Sequence, residues 1–271
     1  MKDAESGELL GYFFIDMFPR EGKYGHAAAF DFLAGCALSD GNNNKNNSSN
    51  RRPNIVTIAC NFDQGGCITF NDVVTFFHEF GHCIHYICGR PELNKFSSFG
   101  VPYDFVEAYS QALEYFCYCD EPLALLSKHV DSGEHLPSSL VKKIKDSKYA
   151  LTGYFHKRQL VFGLFDLTVH MMNLDNESVD ACKLWDDVEE LVLGVRPDVS
   201  VSKVASFGHL MTSYDSGYYG YLRAATYAAH MFKKFKDANV MSTKVGMDYR
   251  TKMLQPGSTK DCIDIFDSPR P

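Results

Sequence analysis

The rhythm of hydrophobic and polar positions changes once along this chain, near residue 69. Before that point apolar residues come in short runs. Residues 9–18, Leu-Leu-Gly-Tyr-Phe-Phe-Ile-Asp-Met-Phe, are rich in aromatics and bounded by Gly7 and Pro19, which reads as a strand. A polar, glycine-containing loop follows at 20–27, and a second strand is predicted at 54–61, opening after Pro53. Between the two strands, residues 39–52 form an Asn- and Ser-rich tract with almost nothing to bury, expected to be a disordered insertion. From residue 70 the period becomes helical: Phe70, Val73, Val74, Phe77, Phe80 and Ile84 recur at three and four, and Gly89 and Pro91 end the run. A second helix is predicted at 104–119, and others near 122–130, 138–147, 155–173, 177–194 and 218–238. Breakers such as Gly133, Pro137, Gly153, Gly194, Pro197 and Gly208 separate them. No internal repeat or interdomain linker is evident. The pattern predicts one mainly α domain over residues 1–271, with a small β edge near the N-terminus.

Composition narrows the function classes. The 271 residues are 45% hydrophobic and 23% charged, enough for a sizeable core and unlike a disordered chain. No apolar run approaches the roughly 18–20 residues a membrane span needs. The net charge is −7, and the longest basic cluster, Lys142-Lys143-Ile144-Lys145, reads as a solvated helix face. Neither nucleic acid nor membrane is therefore an expected partner. Nine cysteines, an odd number with no CxxC pair, point to reduced thiols. With no apolar stretch in the first six residues, a cytoplasmic location is expected.

The chemistry concentrates in His78-Glu79-Phe80-Gly81-His82. Two histidines four apart on a helix aim both imidazoles at one point, a ready pair of zinc ligands. Glu79 is directed near the metal without having to ligate it, and so can take a proton from an activated water. Gly81 costs about 1 kcal/mol against Ala within a helix, which suggests that another element packs close there. A zinc hydrolase needs a third ligand and an open position. Glu107, on the next predicted helix, is the best candidate, with Gln111 and Glu114 following on the same face. Those two are either ordinary surface residues or hydrogen-bond partners of the ligand imidazoles. A further ligand would close the site, so His85 is read as a packing or hydrogen-bonding residue. Tyr214, Tyr218 and Tyr221 lie within two helical turns, and their spacing alone favours an aromatic core stripe over catalysis.

The chain resembles the thimet oligopeptidase and neurolysin family of zinc peptidases. The resemblance is carried by Phe18-Pro19-Arg20-Glu21-Gly22-Lys23-Tyr24-Gly25-His26-Ala27, Phe77-His78-Glu79-Phe80-Gly81-His82 and Asp104-Phe105-Val106-Glu107-Ala108. It continues in Phe207-Gly208-His209-Leu210, Tyr214-Asp215, Tyr218-Tyr219-Gly220-Tyr221-Leu222 and Lys244-Val245-Gly246-Met247-Asp248-Tyr249-Arg250. It implies a zincin-like catalytic domain holding one Zn2+ on His78, His82 and Glu107, with Glu79 as general base. It also implies that His209 and Tyr214 bind substrate and that Tyr218 and Tyr221 donate to the oxyanion, Tyr221 first. The implied activity is hydrolysis of internal peptide bonds in short peptides. The alternatives are a dipeptidyl carboxypeptidase-type enzyme or an inactive zinc-binding fragment.

The resemblance starts just before the family's catalytic half, so a fragment lacking the N-terminal helical half is expected. Weak activity of the chain alone would follow. Three local departures stand out. Tyr109 replaces a proline common in relatives, Thr212-Ser213 replace a glycine pair, and Tyr103 stands where an arginine is usual. The lost glycines predict a stiffer loop before Tyr214.

Overall fold

The computed structural model describes residues 1–38, 50–172, 178–195, 203–212 and 214–267. Five strands precede the first helix: β1 (Gly11–Asp16), β2 (Ala28–Leu33), β3 (Cys36–Ala37), β4 (Arg51–Arg52) and β5 (Asn54–Ala59). The helices are α1 (Phe70–Cys88), α2 (Tyr103–Glu114), α3 (Asp120–Leu126), α4 (Ser138–Tyr149), α5 (Thr152–Met171), α6 (Ala181–Leu193), α7 (Gly220–Ala238), α8 (Thr243–Tyr249) and α9 (Cys262–Asp267). The architecture is mainly α with a small N-terminal sheet, as the pattern of the sequence predicts.

β5 is the middle strand of three. β1 runs parallel to it, Gly11 opposite Asn54 through Asp16 opposite Ala59. β2 runs antiparallel from Ala28 opposite Ala59 to Leu33 opposite Ile55, with an irregularity between Asp31 and Leu33. The central position explains why Val56 and Ile58 are fully buried: they pack on Cys83 and Ile87 of α1. β2 lies at the edge of this sheet, and among the described residues no further strand pairs with its outer side.

α1 starts at a reciprocal cap. The Asp72 N–H donates to the Thr69 hydroxyl (3.2 Å), and the Thr69 N–H donates to the Asp72 carboxylate (3.0 Å). Such caps contribute about 1 kcal/mol. α2 lies between α1 and α7. Its Phe105, Ala108, Tyr109 and Ala112 form one core with Ala224, Ala228 and Met231 of α7. A separate core joins Val161 and Phe165 of α5 to Trp185 and Val188 of α6, with Phe207 and Tyr218. Glycines set both crossings of α2. A Cβ added at Gly81 would lie 2.7 Å from the Ser110 Cα, and one added at Gly220 would lie 2.8 Å from the Asp104 Cα.

Several expectations shift. β2, the short β3–β4 ladder, α8 and α9 were not foreseen. Each is six or seven residues or fewer, too short to establish a period. Of the expected insertion 39–52, residues 39–49 lie outside the described residues, but Arg51–Arg52 pair with Cys36–Ala37 as β4. The helix expected at 104–119 ends at Glu114 and tightens into a 3-10 turn, Tyr115–Tyr118. α6 begins at Ala181 because the Asp180 carboxylate accepts the Lys183 N–H (3.0 Å) and so caps it there. All nine cysteines are free thiols, and among the described residues no helix is long and apolar enough to cross a membrane.

The α1–α2 crossing can be tested through Gly81→Ala. Helix propensity alone favours Ala by about 1 kcal/mol. The added methyl would press on the backbone of α2, so the variant is expected to be less stable than wild type by about 1–3 kcal/mol in chemical denaturation. Equal or greater stability would mean that the helices are free to move apart.

Candidate active site

α1 carries three of the expected residues on its inner side. His78 is partly buried, and Glu79 and His82 are 7% exposed. Opposite them α2 presents Glu107, itself 5% exposed. One carboxylate oxygen, Oε2 of Glu107, lies 3.1 Å from His78 Nε2 and 3.2 Å from His82 Nε2. The ligand atoms of His78, His82 and Glu107 all lie within 4.8 Å of one another.

These residues fit a zinc ion by chemistry and by spacing. Two imidazoles and a carboxylate are a recurrent catalytic zinc set, and bonds of about 2.0–2.1 Å in a tetrahedron put neighbouring ligand atoms about 3.3 Å apart. The two oxygen–nitrogen distances, 3.1 and 3.2 Å, are close to that value. The Nδ1 of His82 is buried without a hydrogen-bond partner among the described residues. That nitrogen leaves Nε2 as the contact through which this imidazole is held.

Charge complementarity holds the cluster together. Burial works against the His78 cation, but hydrogen bonds and charge from Glu107 and Glu114 outweigh it and keep the imidazole well above its ordinary pKa. Burial alone would raise Glu107. The charges and hydrogen bonds of His82 and His78 instead hold its carboxyl well below the usual range. A cation binding here has to displace the proton of His78. Glu107 has two further partners. The Ser110 hydroxyl, one turn later on α2, donates to Oε2 (2.9 Å), and the Tyr214 hydroxyl donates to Oε1 (2.8 Å).

The two residues that follow Glu107 on its face part company. Glu114 Oε1 lies 2.7 Å from His78 Nδ1, so this carboxylate fixes the ring with Nε2 aimed at Glu107. The Gln111 amide does not reach an imidazole. It donates to the Tyr221 carbonyl (3.2 Å) and ties α2 to the start of α7. His85 is fully buried, with neither ring nitrogen partnered among the described residues, and stacks on Tyr109 at 3.7 Å between centroids. Tyr109, the replacement for proline, donates its hydroxyl to the Met253 carbonyl (3.1 Å).

Glu79 stands apart from this ion pair. Burial raises its pKa; the nearby His78 and His82 charges and a hydrogen bond from the Ala29 backbone partly offset the rise. Ala29 belongs to β2, so the edge strand runs beside the carboxylate. Neither β2 nor Ala29 was identified from sequence. The alternation in Ala-Ala-Phe-Asp-Phe-Leu was the available signal, and it is short.

On the other side lies the turn that begins α7. Tyr214 and Tyr221 stack with ring centroids 5.0 Å apart at 19°. Burial and then the Glu107 charge raise the pKa of both phenols, so both remain protonated donors. His209 is exposed, and its ring lies 5.8 Å from Tyr214, 5.1 Å from Tyr218 and 5.8 Å from Tyr221. Desolvation and the His26 charge push its pKa down. Tyr218 is placed differently. Its ring is in the α5–α6 core and its hydroxyl donates to Gln159 (2.9 Å). Tyr103, the replacement for arginine, packs its ring 5.1 Å from Tyr214. Of the replaced glycine pair, Ser213 lies outside the described residues.

Comparison with known proteins places this arrangement. The profile of peptidase family M3 matches residues 1–269. Saccharolysin of Saccharomyces cerevisiae is 35% identical over 97% of this chain and 37% of its own length. A thimet-like oligopeptidase of Dictyostelium discoideum is 32% identical over 98% of this chain and 39% of its own length. Oligopeptidase A of Escherichia coli is 32% identical over 97% and 38%. The chain thus spans under two-fifths of the length of these relatives. Among solved structures, PZ peptidase A aligns with a TM-score of 0.59 at 16% identity, over 93% of this chain and 39% of that one. A protein described as an oligoendopeptidase F from Bacillus anthracis aligns with a TM-score of 0.54 at 18% identity, over 93% and 36%. At such identities the two structures speak for the fold alone.

The role of Glu114 can be measured without turnover. Glu114→Ala should weaken zinc binding by about 10–100-fold, because the His78 ring loses the partner that orients it. Gln111→Ala should leave the affinity nearly unchanged. Competition against a chromophoric chelator reads both; equal losses in the two variants would contradict the assignment.

Proposed function

The chain belongs to peptidase family M3, and on that premise we propose that it hydrolyses internal bonds of short peptides with one zinc ion. The observation that carries this reading is the separation of roles around one point. His78, His82 and Glu107 converge on a position of zinc spacing, while Glu79 lies beside them with its carboxylate outside the ion pair. The three converging residues would hold the ion and leave a position open to water or substrate. Bound there, zinc supplies Lewis acidity toward a water and a peptide carbonyl.

The remaining steps belong to the protein's own side chains. Glu79 takes the proton of the attacking water at its carboxylate and later delivers it to the leaving nitrogen. Its burial raises its basicity toward what that exchange needs. Tyr221 donates to the developing oxyanion: its phenol lies in the field of Glu107 and Glu79, whereas the Tyr218 hydroxyl is held by Gln159. Tyr214 and His209 contact the substrate from the same wall. The open edge of β2, adjacent to Glu79, offers backbone groups with which an extended peptide can pair. That pairing would lay the scissile bond along the sheet edge and select unfolded chains over structured ones. The nine thiols suit a cytoplasmic enzyme and are not required as nucleophiles.

Cleavage of a short internally quenched peptide, blocked at both ends, tests the proposal. Cleavage should stop on chelation and return with zinc. Glu79→Gln should bind zinc with wild-type stoichiometry and lose at least about a hundredfold in kcat. A Glu79→Gln enzyme with wild-type turnover would remove the base from the scheme. Tyr221→Phe should lower kcat by about 100-fold, the cost of one oxyanion donor, with a smaller change in KM. If KM alone changes, Tyr221 binds substrate and the donor is another group.

A further inference from the structure

A buried carboxylate outside the His78–His82–Glu107 cluster ties α5 to the turn before α7. Asp166, on α5, is 0% exposed. Its Oδ1 accepts the Ser216 N–H at 2.9 Å and its Oδ2 accepts the Tyr218 N–H at 3.0 Å. The His170 Nδ1, one turn further along α5, lies 3.0 Å from Oδ1 and 2.8 Å from the Asp166 carbonyl. Both oxygens of one carboxylate are thus spent on the backbone of the turn that carries the tyrosines.

That turn needs holding. Ser216 has φ +60°, a left-handed conformation that costs a non-glycine residue roughly 1 kcal/mol or more. Within the turn, the Gly217 N–H donates to the Tyr214 carbonyl (2.9 Å) and the Gly220 N–H to the Gly217 carbonyl (2.9 Å), which leads directly into α7. The backbone at 216–218 therefore fixes where Tyr214 and Tyr221 point. α5 also takes the Tyr218 hydroxyl through Gln159, two turns before Asp166. The same turn delivers the Tyr214 hydroxyl to Glu107. A carboxylate can accept on both oxygens at once, and an amide cannot.

We propose that Asp166 is a positioning residue: from α5 it clamps the Ser216–Tyr218 backbone and so sets the tyrosines in register with Glu107. Its catalytic consequence rests on the function proposed above, but the clamp itself does not. Asp166→Asn keeps the shape and removes one of the two acceptors.

Two readouts test the inference. The first needs no activity. In amide hydrogen exchange of the wild-type chain, the Ser216 and Tyr218 amides should be protected. In Asp166→Asn the 214–221 segment should exchange about tenfold faster or more, the loss of a hydrogen bond to a charged group, while α1 and α2 stay unchanged. Unprotected amides in wild type, or equal exchange in the variant, would overturn the clamp even if the variant folds poorly. The second is kinetic. Asp166→Asn should lower kcat by about tenfold with little change in KM, and in a Tyr221→Phe background the further loss should shrink to within about threefold. Losses that multiply in full would mean that Asp166 does not act through Tyr221. A wild-type chain without chelator-sensitive cleavage would count against the proposed function alone, and the exchange experiment would still decide the clamp.

Discussion

The site depends on how closely α1 and α2 approach at Gly81. Any side chain there would collide with the backbone of α2 at Ser110. The contact brings Glu107 within ion-pair distance of two histidines on the neighbouring helix. A crossing wider by one methyl diameter would part the buried Glu107 from both imidazoles, at a cost of several kcal/mol. The glycine at Gly220 does the same on the opposite side of α2 and brings the start of α7 against Asp104. The two contacts make α2 the reference against which both walls of the site are placed.

Electrostatics then divides the acidic residues by task. Glu107 is surrounded by donors: two imidazoles, Ser110 and Tyr214. Its carboxyl is held down and stays an anion suited to a cation. Glu79, one residue from His78, is dominated by desolvation, which the His78 and His82 charges only partly offset, and its carboxyl is pushed up. The two carboxyls therefore have opposite shifts within one cleft. This is the difference expected between a ligand and a group that must accept and return a proton. Glu114 takes a supporting part by fixing the Nδ1 side of His78.

How much of this was legible depends on whether a feature is local. The i, i+4 histidines, the intervening Glu79 and the unusual helical glycine are written within five residues, and the helix that gives the spacing its meaning is long. Glu107 followed from the need for a third ligand on the next helix. Periodicity could not separate Gln111 from Glu114, because positions four and seven after Glu107 face nearly the same direction. The crossing angle decides which one meets His78. The same ambiguity covered Tyr218 and Tyr221, four and seven residues after Tyr214. There the answer lies in α5, whose Gln159 takes one hydroxyl and leaves the other beside Tyr214. β2 escaped notice because six residues at a sheet edge, half of them exposed, leave little pattern. Ser110 was within reach, being one turn from Glu107, but a serine in a helix carries no signal until its partner is placed.

The two walls of the site belong to different cores. The His78–His82–Glu107 cluster rests on the layer of α1, α2 and the sheet, whereas Tyr218 and Phe207 belong to the core of α5 and α6. Elements anchored in separate cores can drift relative to one another unless specific contacts join them. Contacts that join them include Gln111 to the Tyr221 carbonyl and Tyr214 to Glu107, and Asp166 holds the turn between them onto α5. The first two reach from α2, and the third reaches from α5. Under the proposed function, a tyrosine that donates to a developing oxyanion needs a fixed backbone as well as a correct side chain. The tyrosine wall is therefore held from both sides, by α2 through Glu107 and Gln111 and by α5 through Asp166.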